Sequence, residues 1–220
     1  MGKIVVFGAG GRVGRAAVGE ALRRGHQVTA VVRAPDRHQR LTGATVRAGD
    51  VTDADAIADL ATGHDAAIMA AYDAGARPDV FFPAAARALV DGLTRAGVGR
   101  LVTVGLAATL KTPDGTPLMD TPGFPQEFRP ICLGHAAASA LLRSSDARTD
   151  WLIVSPAGDF DHAGARSGRY TIAEIDMAGR VSYADLAVAL LDEIDTPRHH
   201  RTHIGVTAAG GVGDADDTRG

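Results

Sequence analysis

Short apolar runs alternate with amphipathic stretches through the first half of the chain. Ile4-Val5-Val6-Phe7 is wholly apolar, as expected of a parallel strand buried on both faces. A helical pattern follows from about Val13 to Arg24 and stops at Gly25. Val28–Val32, Thr45–Ala48, Ala66–Ala71 and Leu101–Val104 predict the second to fifth strands. Helices are predicted between them, from after Asp53 to about Ala61 and over Phe82–Ala96, the latter closed by Gly97. Strand and helix alternating at this spacing predict an α/β fold with a doubly wound parallel sheet.

The rhythm breaks over Ala107–Pro130, which carries five prolines. A loop of that length inside a compact domain usually has a function, and here it would overhang the carboxyl ends of the strands. A helix resumes near Cys132 and runs to Ser144. Trp151–Val154 predicts a sixth strand, ended by Ser155-Pro156-Ala157. Ser182 suits the N-cap of a helix over Tyr183–Ile194, and His203–Val206 reads as a last strand. One domain over residues 1–206 is expected, with a small C-terminal substrate cap built from about 107–130 and 157–182. Gly, Ala and Asp dominate from Thr207 onward, which predicts a frayed tail over 207–220.

Composition narrows the partners. Hydrophobic residues are 45 % of the 220, enough for a sizeable core, while aromatics are only 5 %. The formal net charge is −3 and the basic residues form no stripe, which argues against nucleic acid. The lone cysteine, Cys132, rules out an intramolecular disulfide and a cysteine-based structural zinc site. No apolar run is long enough to cross a bilayer. The chain enters its first strand at once, so neither a signal peptide nor a myristoylated Gly2 is expected, and a soluble cytoplasmic protein follows. A monomer or homodimer is expected.

The strongest chemical signal is Gly8-Ala9-Gly10-Gly11-Arg12-Val13-Gly14, set between a strand and a helix. Glycine permits the tight turn at 8, close backbone approach to a pyrophosphate at 11, and close helix–sheet packing at 14. The pyrophosphate would sit on the free N–H groups at the helix start, where the dipole favours negative charge. This predicts a Rossmann-type dinucleotide site. Farther along the carboxyl ends of the strands, Ala70, Ala71, Val104 and Pro156 are expected to line it, with Asp50 and Val51 at the adenine-contacting position.

The end of the second strand selects the dinucleotide. An NAD site would carry Asp or Glu there for the adenine-ribose hydroxyls. This chain has Val31-Val32-Arg33, with Arg37 four residues on. A guanidinium makes charge-assisted bonds to a 2′-phosphate that a carboxylate would repel. NADPH is therefore expected, with NADH bound more weakly, and Arg12 is a further candidate for the same phosphate.

With these residues in hand, the chain resembles the atypical short-chain dehydrogenase/reductase family, in particular its NAD(P)H-binding proteins of the NADH-flavin reductase type. Biliverdin reductase B and NmrA-like proteins are more distant relatives. The resemblance covers roughly residues 3–206 and extends to Ala96–Gly105, Asp120–Pro125, Thr149–Ala157, Ser167–Tyr170 and Ser182–Glu193. It implies the fold, a nicotinamide cofactor and a reductase's habit, but no particular substrate. The chain departs from the family where a glycine-rich stretch is expected after Gly105. Leu106-Ala107-Ala108-Thr109 stands there instead, which predicts a bulkier pocket floor.

Most short-chain dehydrogenases use Tyr-x-x-x-Lys for proton exchange with an alcohol. Here the tyrosines are 72, 170 and 183 and the lysines 3 and 111, and no pair has that spacing. The resemblance places His135 at the lysine position and Ile131 at the tyrosine position. A conjugated acceptor such as a flavin, a quinone or a related planar aromatic needs less acid catalysis, because orientation and solvent exclusion do most of the work. His135 is the candidate to donate a proton or bond the nicotinamide ribose, and Tyr72 to cover the nicotinamide. The same residues also fit a helix-surface histidine and a tyrosine packed under the loop. Asp159, Asp161 and His162 read as a polar rim, and His199, His200 and His203 as ordinary histidines beyond a helix end; no metal is expected at either. Two other classes stay open: an NADP(H)-binding sensor of NmrA-like type, and a non-reducing isomerase or cyclase on the same fold.

Overall fold

A computed structural model describes residues 1–210 except 39 and 147. Its order is β1 (Lys3–Phe7), α1 (Arg12–Arg23), β2 (Gln27–Val32), β3 (Thr45–Ala48), α2 (Ala54–Ala61), β4 (Ala66–Met69), α3 (Pro78–Ala96) and β5 (Arg100–Val104). The second half adds α4 (Arg129–Ser144), β6 (Asp150–Pro156), β7 (Asp159–Asp161), β8 (Tyr170–Ala173), β9 (Arg180–Ser182), α5 (Tyr183–Asp195) and β10 (Thr202–Ala208). Eight strands form one sheet in the order β3-β2-β1-β4-β5-β6-β10-β8. Seven are parallel, and β8 pairs antiparallel with β10 at the edge.

Alternation along β1 shows why the run is apolar throughout. Ile4 and Val6 join the core shared with α1 and α5, while Val5 and Phe7 join the core shared with α2, α3 and α4. Both faces are covered, so every position of the strand is buried except Lys3. Asp53 caps α2 by accepting from the N–H groups of Asp55 and Ala56 at 2.9 and 3.1 Å. Ser182 Oγ caps α5 by accepting from Asp185 N at 3.0 Å.

Several boundaries differ from expectation. α3 begins at Pro78, four residues before Phe82; Pro78 lies in the first turn, where a missing N–H costs little, and Pro83 forfeits one bond in the second turn. β6 continues through Pro156, which stands opposite Val206. β10 runs to Ala208, two residues into the stretch expected as tail, because Thr207 and Ala208 pair with Thr171 and Tyr170 of β8. Ala209 and Gly210 follow β10 outside any strand, and the remainder of that expected tail, 211–220, lies outside the described residues. Within 157–182, β8 extends the main sheet and β7 pairs with β9 in a separate two-stranded ribbon, so this stretch is sheet as well as cap. These strands span only three or four residues each, too few for their alternation to register.

A buried carboxylate fixes the second half. Asp185 accepts from the N–H groups of Ser167 at 2.9 Å and Gly168 at 2.8 Å, and from the hydroxyls of Ser167 and Ser182 at 3.0 Å each. On α1, buried Glu20 binds Arg23, Arg24 and Arg166, and their guanidiniums, Arg23 first, hold its carboxyl well below the usual range. Among the described residues, no helix is long and apolar enough to cross a membrane.

Candidate functional site

A groove of about 880 Å³ runs along the carboxyl ends of the central strands. One end is cationic: Arg33 and Arg37, with His38, lie beside Asp50 and Val51. The middle is the turn Gly8–Gly11 at the start of α1. The far end is apolar and aromatic, formed by Tyr72, Phe82, Val104, Gly105, Ile131 and His135.

Three of the four glycines of the turn are required by the protein's own packing, each for a different reason. Gly8 has φ +81°, and a Cβ there would fall 2.4 Å from the backbone of Ala71. A Cβ on Gly14 would stand 2.1 Å from the carbonyl oxygen of Gly8, so helix and turn touch there. A Cβ on Gly10 would meet the His38 ring at 2.4 Å. Gly11 differs. Its backbone is extended, and a Cβ would touch only Gly8 O at 3.5 Å and Ala70 O at 3.8 Å, both ordinary contacts. Packing within the protein therefore does not demand glycine at 11, although the position lines the groove. Gly11 is also the N-cap of α1, and among the described residues no side chain caps the first N–H groups of that helix.

At the cationic end, Arg33 Nη1 donates to Asp73 Oδ2 at 2.5 Å. Asp73 was not foreseen, although it follows β4 by only a few residues. The Arg37 guanidinium has no hydrogen-bond or ion-pair partner among the described residues; only its backbone N–H is engaged, donating to Ala34 O at 3.1 Å. Asp50 is held in a turn, accepting from Thr52 N at 2.8 Å and Thr52 Oγ1 at 2.7 Å. Arg12 turns away from Arg33; its guanidinium donates to Tyr183 Oη at 3.0 Å and lies 3.3 Å from His162 Nδ1.

At the aromatic end, three rings are in sequential contact, the first pair stacked and the second tilted by 36°. Tyr72 lies on Phe82 with centroids 6.0 Å apart and planes 13° from parallel, and Phe82 meets His135 at 3.9 Å. His135 and Ile131 are four residues apart on α4, so both face the groove from one side of the helix. Burial pushes the His135 imidazole down to about 4 from its ordinary 6.5, so it is neutral at pH 7. Phe82 escaped the sequence reading because an apolar residue in a helix looks like core; its role at the groove depends on α4 crossing α3.

These features, a glycine turn between a first parallel strand and a helix above a long groove, are joined by a direct match. The NAD(P)H-binding family model covers residues 8–197. This chain belongs to the NAD(P)H-binding family. It is 34 % identical over 212 residues to the uncharacterized protein YwnB of Bacillus subtilis strain 168, spanning 90 % of this chain and 94 % of that one. A crystal structure from Burkholderia pseudomallei, of a protein named provisionally as exported, is similar at TM-score 0.83 and 35 % identity over 94 % of this chain and 100 % of that one. SP1627 of Streptococcus pneumoniae TIGR4, named provisionally as an NADH-flavin reductase, is similar at TM-score 0.80 and 32 % identity over 95 % and 100 %.

As a member of the NAD(P)H-binding family, the chain brings nearly all its expected site residues to one groove. Only Gly14, packed beneath the turn, and Pro156, buried in β6, stand outside its lining. One expectation fails. Leu106–Thr109 does not form the groove floor: Ala108 packs into a small cluster with Met119 and Cys132, Leu106 packs against it, and the lining ends at Gly105. No residue of 107–130 is among the lining, because Arg129 pins this segment to α4 by donating to Met119 O at 2.8 Å and Asp120 Oδ1 at 2.9 Å. The C-terminal histidines each turn to a different partner: His199 to Glu193, His200 to Asp150 and His203 to Ser155.

Proposed function

We propose that this protein is an NADPH-dependent reductase that delivers hydride to a flavin, a quinone or a related planar aromatic. One observation carries the reading: a single groove joins two arginines at one end to a neutral aromatic wall at the other, across a glycine whose missing side chain the protein's own packing does not need. The free face of Gly11 and the uncapped N–H groups of α1 suit a pyrophosphate. Arg33 and Arg37 suit a 2′-phosphate, and Asp50 and Val51 the adenosine. Val104, Ala70 and Ala71 carry the dinucleotide toward the aromatic end.

When bound, the reduced dinucleotide supplies the hydride. Tyr72 and Phe82 hold a flat acceptor by ring contact, and Ile131 keeps water from that face. His135 is neutral, so it presents one N–H and one lone pair. It can bond the ribose or pass a proton to the reduced acceptor, the other source being water. By the resemblance to short-chain dehydrogenases, Ile131 and His135 take the positions of the usual tyrosine and lysine, which favours an acceptor that needs little acid catalysis over a simple ketone.

Anaerobic mixing with NADPH and a panel of flavins and quinones tests this, followed at the nicotinamide absorption band. Oxidation with multiple turnovers is expected for at least one acceptor. Tight NADPH binding with no oxidation across the panel would move the assignment to a sensor or a non-reducing catalyst.

A further inference from the structure

The Arg33–Asp73 ion pair occupies an informative place. Arg33 follows β2 and Asp73 follows β4, and β1 lies between those strands in the sheet. The pair therefore spans the carboxyl end of β1, where the glycine turn begins. Both residues line the groove. Asp73 is held for this contact: its second oxygen, Oδ1, accepts from Gly75 N at 3.0 Å, which fixes the carboxylate in a local turn. Arg37, by contrast, has no such partner among the described residues. Of the two guanidiniums at the cationic end, one is open and the other is already engaged by an acid of the protein itself.

We infer that Asp73 is a specificity-determining residue that competes with the cofactor's 2′-phosphate for Arg33, so that phosphate binding must displace a built-in carboxylate. The inference rests on the NADPH reading above. A dianionic phosphate makes shorter and stronger bonds to a guanidinium than a single carboxylate does, so it wins the exchange, but part of its advantage is lost to opening the ion pair. A dinucleotide without that phosphate leaves the pair closed. Asp73 thus narrows the preference for NADPH over NADH and eases departure of the phosphate-bearing product. Exposure keeps the effect modest: the Arg33 side chain is 64 % exposed, and exposed pairs are weak and screened by salt.

Calorimetric titration of the full chain with NADPH and NADH, at low and high salt, tests the inference on Asp73→Asn, Arg33→Ala and the double variant. Asn preserves the turn through its own side-chain oxygen and removes only the charge. Asp73→Asn is expected to tighten NADPH by about 3- to 5-fold, the worth of one exposed ion pair. NADH affinity stays unchanged, the gain shrinks at high salt, and it vanishes in the Arg33→Ala background. An unchanged NADPH affinity, an equal change for both dinucleotides, or a loss of NADPH affinity would overturn it; the last would mean that Asp73 bonds the cofactor directly. Failure of the NADPH reading has a separate signature, a native protein that does not prefer NADPH at all. The change in the NADPH/NADH ratio caused by Asp73→Asn still reads the inference in that case.

Discussion

The two ends of the groove are built by different means. The glycine turn and the cationic end come from residues 8–14 and 33–37, two short segments that follow adjacent strands; the turn's requirement is written into the backbone and the cationic end's into two closely spaced guanidiniums. The aromatic end is assembled from Tyr72 after β4, Phe82 on α3, Val104 on β5 and His135 on α4, spread over more than sixty positions. A backbone requirement forces one residue type at one place, so it leaves a pattern. A wall of side chains needs only bulk and shape from several elements, and many sequences satisfy it. This contrast is why the glycine turn leaves a sharp sequence pattern and the aromatic end does not.

Substitution at two glycines of one turn gives the largest expected effects and would break the contrast if it failed. Gly11→Val should abolish NADPH binding in calorimetry while the thermal midpoint stays near that of the native protein, because its Cβ meets only ordinary contacts. Gly14→Val should instead destabilise the fold itself, since its Cβ would overlap the Gly8 carbonyl. Normal NADPH binding by a folded Gly11→Val protein would mean that the phosphate loop lies elsewhere.

Asp185 sharpens the contrast from the other direction. Ser167–Tyr170 and Ser182–Glu193 stand out in the sequence as family-like, yet the structure shows the two segments tied together by one buried carboxylate. Asp185→Ala would leave the N–H groups of Ser167 and Gly168 without their partner, at a cost of about 3 kcal/mol in chemical denaturation. NADPH affinity of the folded fraction should hold. A large loss of affinity with unchanged stability would assign these segments to the cofactor site.

Arg33→Ala comes next. Loss of a charge-assisted bond should weaken NADPH by about 1.5–3 kcal/mol and leave NADH nearly unaffected. Equal losses for both would remove Arg33 from the phosphate.

His135 should show the smallest effect on chemistry. General acid catalysis is typically worth about 10²–10⁴ in rate, and His135→Ala should lose less than that with a quinone or flavin. A larger loss with intact NADPH binding would make His135 an essential acid. Its burial also has a pH signature. His135 and His203 are both held down to about 4, so between about 6.5 and 4 the unfolded chain takes up protons that the folded chain refuses. Their contribution to stability is present above about 6.5 and is lost as pH falls through 4, so thermal melts should shift downward over that window. The slope should be shallower in His135→Ala.

The parallel sheet was legible because strands buried on both faces must be apolar throughout, and β1 shows that plainly; the order of its strands was not. The long segment after β5 was legible as a break in rhythm, but its position was not. Five prolines announce an irregular segment; only the bonds from Arg129 to Met119 and Asp120 reveal that it packs back on α4 and leaves the groove unlined. The ion pair of Arg33 was hidden for a similar reason, since forty residues separate it from Asp73.

Trp151 gives the molecule a reporter of its own. It is the single tryptophan of the chain, 3 % exposed on β6, packed in the core under α2, α3 and α4, and its indole N–H has no partner among the described residues. Emission from one fluorophore in such apolar surroundings lies at short wavelength and moves to long wavelength only when the core opens. That emission overlaps the absorption of a reduced nicotinamide but not of an oxidised one. In a domain whose radius of gyration is on the order of 17 Å, energy passes readily between the two. A reduced dinucleotide in the groove should therefore dim Trp151, and its oxidation there should restore the light, so that occupancy and turnover can be followed in one signal without a label.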